Sequence, residues 1–293
     1  IFEACEYMDS FLDFSPTTAV ILNVELEHID YFKNIDNIRK SYGRFAALTG
    51  ERGRVIVNAD DPDACLSVSG FEGKKVTFGI ENEADYTAKN IVLGCGASEF
   101  DIMKGGTLLC HAVMKVPGRH NICDALAVAA CADLDGIVAE DISAGLSDFT
   151  GAKRRMQYRG TLNGAPVYDD YGHHPNEIRA TLDAASRIPH GRLYCVFQCN
   201  SYTRARTLFT GKVSCFADAD AVLVPDIYPG RETDTGEVHA RDMVEAINAS
   251  GGNAIYLGTF AAIRDWLDAH GAPGDLVVTV GSGDVYRQTR TLL

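Results

Sequence analysis

The stretch Val167-Tyr168-Asp169-Asp170-Tyr171-Gly172-His173-His174-Pro175-Asn176-Glu177 decides how this chain is read. An apolar run of strand character ends in two carboxylates. A Tyr-Gly turn follows, then two adjacent histidines, then a proline suited to the first turn of a helix. Polar groups gathered where a strand gives way to a helix are what α/β enzymes place at a ligand cleft.

Working outward, residues after 157 alternate between strand and helix signals. The pattern predicts strands at 157–162, 165–170, 192–197, 220–224, 253–257 and 275–280. It predicts helices near 175–187, 201–216, 240–250, 259–269 and 283–292. The first two strands form a hairpin around Asn163-Gly164. The remainder is a βαβ series, which implies a mainly parallel sheet with helices on both faces.

The first half is also α/β. Thr18 to Asn23 is an apolar run of the kind that forms a buried parallel strand. Ile35, Ile38, Tyr42, Phe45 and Leu48 recur at helical spacing and predict an amphipathic helix over 34–49. A strand at 54–58 leads to a helix start at Pro62. Residues 74–116 change character, with strand-like runs broken by Gly pairs and a hairpin turn at Lys104-Gly105-Gly106-Thr107; they predict a small antiparallel layer at one edge. An Ala-rich helix follows Arg119-His120-Asn121, a second helix covers 139–147, and Phe149 to Met156 is a polar connection where the domain boundary falls. Ile1 to Ala4 reads as the end of a buried strand with nothing before it, so the chain is expected to be a fragment.

The 293 residues are 46% hydrophobic and 23% charged, which suits two globular domains. A formal net charge of -13 argues against nucleic acid or an anionic membrane as the main partner. The nine cysteines include no C-x-x-C pair and mostly sit in apolar runs, as reduced core thiols of a cytoplasmic protein do. No apolar run reaches the ~18 residues of a membrane span.

Several groups are candidates for chemistry. Glu3, Glu6 and Asp9 form one acidic cluster; Glu25, Glu27, His28 and Asp30 form another. Together they suit either a Mg²⁺ or Mn²⁺ site or a solvated acidic loop. Asn121 suits either a helix cap or an amide presented to a purine edge. Lys153-Arg154-Arg155 is either a solvated face or a phosphate clamp, because guanidinium binds phosphate oxygens bidentately. Within 169–174, no cysteine or i+4 histidine completes a zinc set. A carboxylate on a nucleotide ribose, with histidines facing a substrate, fits better. Arg204 and Arg206 open a helix and suggest a carboxylate site; Tyr228 to Glu232 suggests a second anion site. Gly281-Ser282-Gly283 looks like part of a dinucleotide fingerprint but is too short, so tight packing is expected there.

In order along the chain, EACEYMDSFL (3–12), ILNVELEHIDYF (21–32), VNADDP (57–62), PGRHN (117–121), FTGAKRRM (149–156), DDYGHHPNEI (169–178), FQCNSYTR (197–204), IYPGRE (227–232) and GDLVVTVGSGDVY (274–286) resemble the Mur ligases. The resemblance implies a partial central ATPase-type α/β domain over 1–151 and a Rossmann-like C-terminal domain over 152–293. It implies an ATP-dependent, ADP-forming ligase of peptidoglycan precursor synthesis, joining L-alanine to UDP-N-acetylmuramate through an acyl phosphate. A murein-tripeptide recycling ligase and a non-catalytic nucleotide-binding module remain open as alternatives. By matching position, Glu3 and His28 would be metal ligands and Asn121 would contact adenine. Arg155 would meet the ATP phosphates, Asp170 would hold the ribose, and Tyr171 would lie close to the nucleotide. His173 and Arg204 would face the amino acid or the muramyl group. Two departures stand out. No G-x-x-x-x-G-K-[ST] loop occurs in the 293 residues, so the chain is expected not to turn over alone. Cys199, Asn200 and Ser201 stand where the family has Pro-His ahead of Tyr-Thr-Arg.

Overall fold

The computed structural model describes every residue except Cys95, Thr210 and Lys212, together with the side chain of Asp30. The chain divides into two compact units, the second carried by Thr150–Leu293.

The first unit opens with a 3-10 helix, Tyr7–Asp13, and then forms β1 (Thr18–Ile21), α1 (Ile29–Phe32), α2 (Ile35–Ala47), β2 (Arg54–Asn58), α3 (Pro62–Ser67) and β3 (Lys74–Gly79). β4 (Tyr86–Gly94), β5 (Ala97–Lys104), β6 (Thr107–Met114), α4 (Arg119–Leu134) and α5 (Ala139–Asp148) complete it. The strands make one sheet in the order β1-β2-β3-β4-β5-β6. Val55 and Val57 of β2 join the core of Phe11, Ile38 and Phe45, while Ile56 is buried on the opposite face. Strand periodicity of two thus lets both faces be covered.

Two expectations need correction here. Ile1 to Ala4 is not a strand; Ile1 and Phe2 are exposed, and regular structure starts at Tyr7. Apolar composition alone specified no partner strand for it. Residues 74–116 form the expected antiparallel edge only in part. β3 pairs parallel with both β2 and β4, and the antiparallel β5–β6 hairpin extends the same sheet. The hairpin turn itself is as expected, with Gly105 and Gly106 both at positive φ (53° and 82°), the requirement of a tight two-residue hairpin.

The second unit comprises β7 (Gln157–Leu162), β8 (Ala165–Asp170), α6 (Pro175–Ser186), β9 (Leu193–Phe197), α7 (Tyr202–Leu208), β10 (Ala221–Pro225), α8 (Ala240–Ala249), β11 (Ala254–Gly258), α9 (Phe260–His270), β12 (Leu276–Val280) and α10 (Val285–Leu292). Sheet order is β11-β10-β9-β12-β8-β7, parallel except for the β7–β8 hairpin. Leu193, Cys195 and Phe197 of β9 enter the core shared with α6 and α8; Tyr194 and Val196 enter the core shared with α9. Every residue of β9, β10 and β12 is buried, which is why these strands read as unbroken apolar runs. The helix expected over 201–216 stops at Leu208. Gly211 is a poor helix residue, and Val213, Cys215 and Phe216 are drawn into the core instead. Thr210 and Lys212 lie outside the described residues.

β8, β12 and β9 are adjacent and in register, so Asp170, Val280 and Phe197 form one row across the sheet. The residues that follow them, from Tyr171, Gly281 and Gln198, emerge together at the carboxyl edge, the usual place for ligands in such sheets.

Candidate functional site

His174 and Glu177 build the start of α6 jointly. His174 is the N-cap, its Nδ1 accepting from the Asn176 N–H, and Glu177 reaches back to complete a capping box. One of the two adjacent histidines therefore has a structural task that the sequence did not disclose. His173 lies outside the cap. Its Nδ1 is 3.1 Å from the Tyr171 carbonyl and 3.3 Å from the Glu177 carboxylate. Burial works against the charged form of Glu177, but His173, the N–H groups of His173 and His174, and Arg155 outweigh it and hold its carboxyl below the ordinary glutamate value.

Asp169 and Asp170 are both buried, 0% and 3% exposed. Asp170 accepts from the Met156 N–H (2.8 Å), the Gly172 N–H (2.7 Å) and the Thr181 hydroxyl (3.0 Å). Both of its oxygens are engaged within the unit, Oδ1 by Gly172 and Thr181 and Oδ2 by Met156. Asp169 accepts from the Thr279 hydroxyl and from Arg154 Nε. Burial pushes its carboxyl up, with Arg154 and Thr279 opposing.

The three basic residues at 153–155 separate into different roles. Arg154 donates to the Gly281 carbonyl (2.7 Å) and to Asp169, and its guanidinium lies over the rings of Tyr171 (4.7 Å) and Tyr286 (4.3 Å). It cements β8 to the loop after β12. Arg155 is half-exposed, 3.5 Å from Glu177, with its guanidinium 5.6 Å from the Tyr171 ring centre. Arg154 and Met156 both adopt left-handed backbone (φ 60° and 45°), an uncommon and costly state for side chains of this size. The turn persists because the Arg154 carbonyl accepts from the Tyr171 N–H and Asp170 holds the Met156 N–H. The charge run marked this turn; nothing local distinguished Arg154 from Arg155.

At the edge of β9 the expected carboxylate site takes another form. Arg204 donates to the Asn200 carbonyl (2.9 Å), and Arg206 pairs with Glu237 at the surface. Glu232 accepts from the Thr203 N–H at the start of α7. Burial raises the Glu232 carboxyl, but hydrogen bonds from Thr203, Ser201 and Tyr202 bring it below its ordinary value. The start of α7 is thus served by a side chain of the same unit rather than left for a substrate. Asn200 donates to the Ser282 hydroxyl (3.1 Å), and Gln198 donates to the Asp226 carbonyl (3.3 Å). Among the described residues Gln198 Oε1 is a buried acceptor without a partner.

Gly281 has φ 146°, and a Cβ there would sit 2.5 Å from the Gln198 carbonyl oxygen. The Gly-Ser-Gly turn is tight packing, as expected. Gly281→Ala should destabilise the second unit by about 2 kcal/mol. Urea unfolding followed by the fluorescence of Trp266, the only tryptophan, would measure it.

In the first unit, Asn121 is the third residue of α4, so it does not cap that helix. Its amide nitrogen lies 3.1 Å from His120 Nε2. The stretches around Glu3 and His28 do approach each other, and His28 Nε2 pairs with Glu6 at 3.2 Å. The hydrogen bond from His28 holds the Glu6 carboxyl below its ordinary value. Glu3 is exposed. Among the described residues, no three His, Cys, Asp or Glu side chains are grouped to hold a metal ion. The Glu6 carboxylate thus stands beside the imidazole for which Glu3 was the expected fellow ligand. The side chain of Asp30, counted in the same acidic cluster, lies outside the described residues, as does Cys95. Among the described residues no helix is long and apolar enough to cross a membrane.

Comparison with known proteins bears on the family of both units. Residues 1–132 match the Mur ligase middle domain, and residues 154–283 match the domain described as Mur ligase, glutamate ligase domain. The chain is 41% identical to a UDP-N-acetylmuramate–L-alanine ligase of Caldanaerobacter subterraneus subsp. tengcongensis, covering 97% of this chain and 62% of the relative. It is 43% identical to the ligase of the same name from Clostridium acetobutylicum, covering 98% and 63%. The chain thus spans about three fifths of the length of these curated relatives. Its fold is shared with a UDP-N-acetylmuramate–alanine ligase of Thermotoga maritima (TM-score 0.75, 23% identity, covering 97% of this chain and 60% of that one). It is also shared with MurF of Acinetobacter baumannii (TM-score 0.77, 17% identity, covering 97% and 61%). Both units are matched in sequence and in fold, and the chain belongs to the Mur ligase family, carrying its middle and C-terminal domains.

Proposed function

We propose that this chain supplies the middle and C-terminal domains of an ATP-dependent, ADP-forming ligase that joins L-alanine to UDP-N-acetylmuramate. The observation that carries the reading is the 41–43% identity, over nearly the whole chain, to ligases of that name. In this chemistry the muramyl carboxylate takes the γ-phosphoryl group, and the amine of L-alanine attacks the resulting acyl phosphate. A tetrahedral intermediate then expels phosphate. Catalysis of this kind is mostly positioning and neutralisation of phosphate charge.

The residues of the second unit suit that task. Arg155 is the half-exposed guanidinium beside Tyr171, and it is assigned to the ATP phosphates. The Tyr171 ring, exposed at the edge of the sheet, is assigned to the nucleotide. Asp170 acts on the nucleotide through the loop whose N–H groups it holds. His173 is assigned to the amino-acid or muramyl side. Arg204 serves that side by fixing the Asn200 backbone. In the first unit Asn121 is assigned to adenine.

The test is ADP release by the full-length gene product. It should require both UDP-N-acetylmuramate and L-alanine, and Arg155→Ala should lower kcat/KM by about 10²-fold or more. ADP release that ignores UDP-N-acetylmuramate, or that needs a peptide in place of L-alanine, would sink this reading.

A further inference from the structure

Glu177 has no role in the assignments above, yet its carboxylate meets four donors of its own unit. Oε2 accepts from the backbone N–H groups of His173 (2.9 Å) and His174 (3.1 Å) and lies 3.3 Å from His173 Nδ1. Oε1 faces Arg155 Nη1 at 3.5 Å. One oxygen is thus committed to the turn that starts α6, and the other faces the half-exposed guanidinium. Tyr171 completes the group, its ring edge-on to His173 at 5.4 Å and beneath Arg155 at 5.6 Å.

The distances rank these bonds. The two backbone bonds are short and partly buried, so they anchor Glu177 to the helix. The Arg155 contact is the longest and the most exposed, and therefore the easiest to exchange. A carboxylate fixed at one oxygen and offered at the other holds two flexible side chains on one side of the turn until a stronger anion takes the guanidinium. We infer that Glu177 is a positioning residue that aims Arg155 and His173 at one anionic group of the ligand. The inference rests on the ligase reading for the identity of that anion, the phosphoryl group that passes from ATP to the muramyl carboxylate and so lies between the phosphate side of Arg155 and the muramyl side of His173.

Glu177→Gln is the decisive variant. Glutamine at the third helical position also serves a capping box, so the start of α6 survives while the charge is removed. Among the described residues, Arg155 and His173 are the charged or titratable side chains in contact with Glu177, and removal of the carboxylate takes a favourable partner from both. In the 293-residue chain the His173 imidazole, followed by NMR, should titrate about half a pH unit or more lower in Glu177→Gln, with the Trp266 unfolding midpoint little changed. Glu177→Asp, which keeps the charge, should restore most of the titration midpoint. In the full-length protein Glu177→Gln should weaken ATP binding about 10-fold. Combined with Arg155→Ala it should add almost nothing to the loss from Arg155→Ala alone.

An unmoved His173 titration would overturn the inference. So would losses that add in the double variant, or tighter ATP binding by Glu177→Gln, which would make Glu177 a competitor rather than a guide. If the unsubstituted full-length protein fails to bind ATP, the ligase reading falls, and the imidazole titration alone decides the role of Glu177.

Discussion

Replacing Asp170 with alanine is expected to destabilise the second unit by about 4 kcal/mol and to abolish nucleotide binding. The carboxylate is 3% exposed and accepts from the Met156 N–H, the Gly172 N–H and the Thr181 hydroxyl. Alanine orphans these donors in a buried setting, where each unsatisfied group costs roughly 1–3 kcal/mol, less than additively. The left-handed backbone at Arg154 and Met156 depends on one of the same bonds. Its release would cost Arg155 its placement. Asp170→Asn keeps one acceptor oxygen and should lose about half as much stability. Thr181→Val removes a single bond and should cost about 1 kcal/mol. Trp266 fluorescence in urea measures the stabilities, and calorimetry with ATP measures the binding. Unchanged ATP affinity in Asp170→Ala would refute the link between this loop and the nucleotide.

Arg154→Ala is the second large effect, about 3–5 kcal/mol at neutral pH, because it leaves a fully buried carboxylate without its cation. The Gly281 carbonyl loses its donor at the same time, and the cation between the Tyr171 and Tyr286 rings is gone. The pH dependence follows from Asp169. Burial raises its carboxyl in the folded protein, against Arg154 and Thr279. A group with a raised folded value holds its proton more tightly folded than unfolded. Stability therefore falls as pH climbs from the ordinary aspartate range through the raised value. Without Arg154 the rise is larger, so the penalty of Arg154→Ala should be greater at pH 7 than at pH 5. Arg154→Lys keeps the charge but loses the fork and the stacking, and should fall between. A penalty independent of pH would show that Asp169 does not depend on Arg154.

Much of the fold was legible because its signals are local. Asn163 and Gly164, both at positive φ, made the hairpin readable, and Pro175 marked the start of α6. The unbroken apolar runs at β9, β10 and β12 announced strands buried on both faces. The antiparallel edge was drawn too wide, to include β3, because pairing is a non-local property. Nothing within 74–79 states that β3 lies parallel to β2. The helix over 201–216 was too long because Val213, Cys215 and Phe216 gain more from the core than from continuing α7.

The candidate site divides in the same way. Which residue types gather at the carboxyl edge of β8, β9 and β12 was fixed by the sequence, since strand ends and helix starts follow from periodicity, proline and glycine. Which of them turn inward was decided only by the tertiary structure. Arg154 and Arg155 are neighbours of like chemistry. One reaches a carbonyl 127 residues away, and the other stays at the surface beside Glu177. Asp170 closes on its own loop, Glu232 serves the start of α7, and Glu6 meets His28. A side chain's identity sets what it can bind. Its role is set by the partners brought within about 3 Å, the reach of a hydrogen bond, and folding alone supplies those partners.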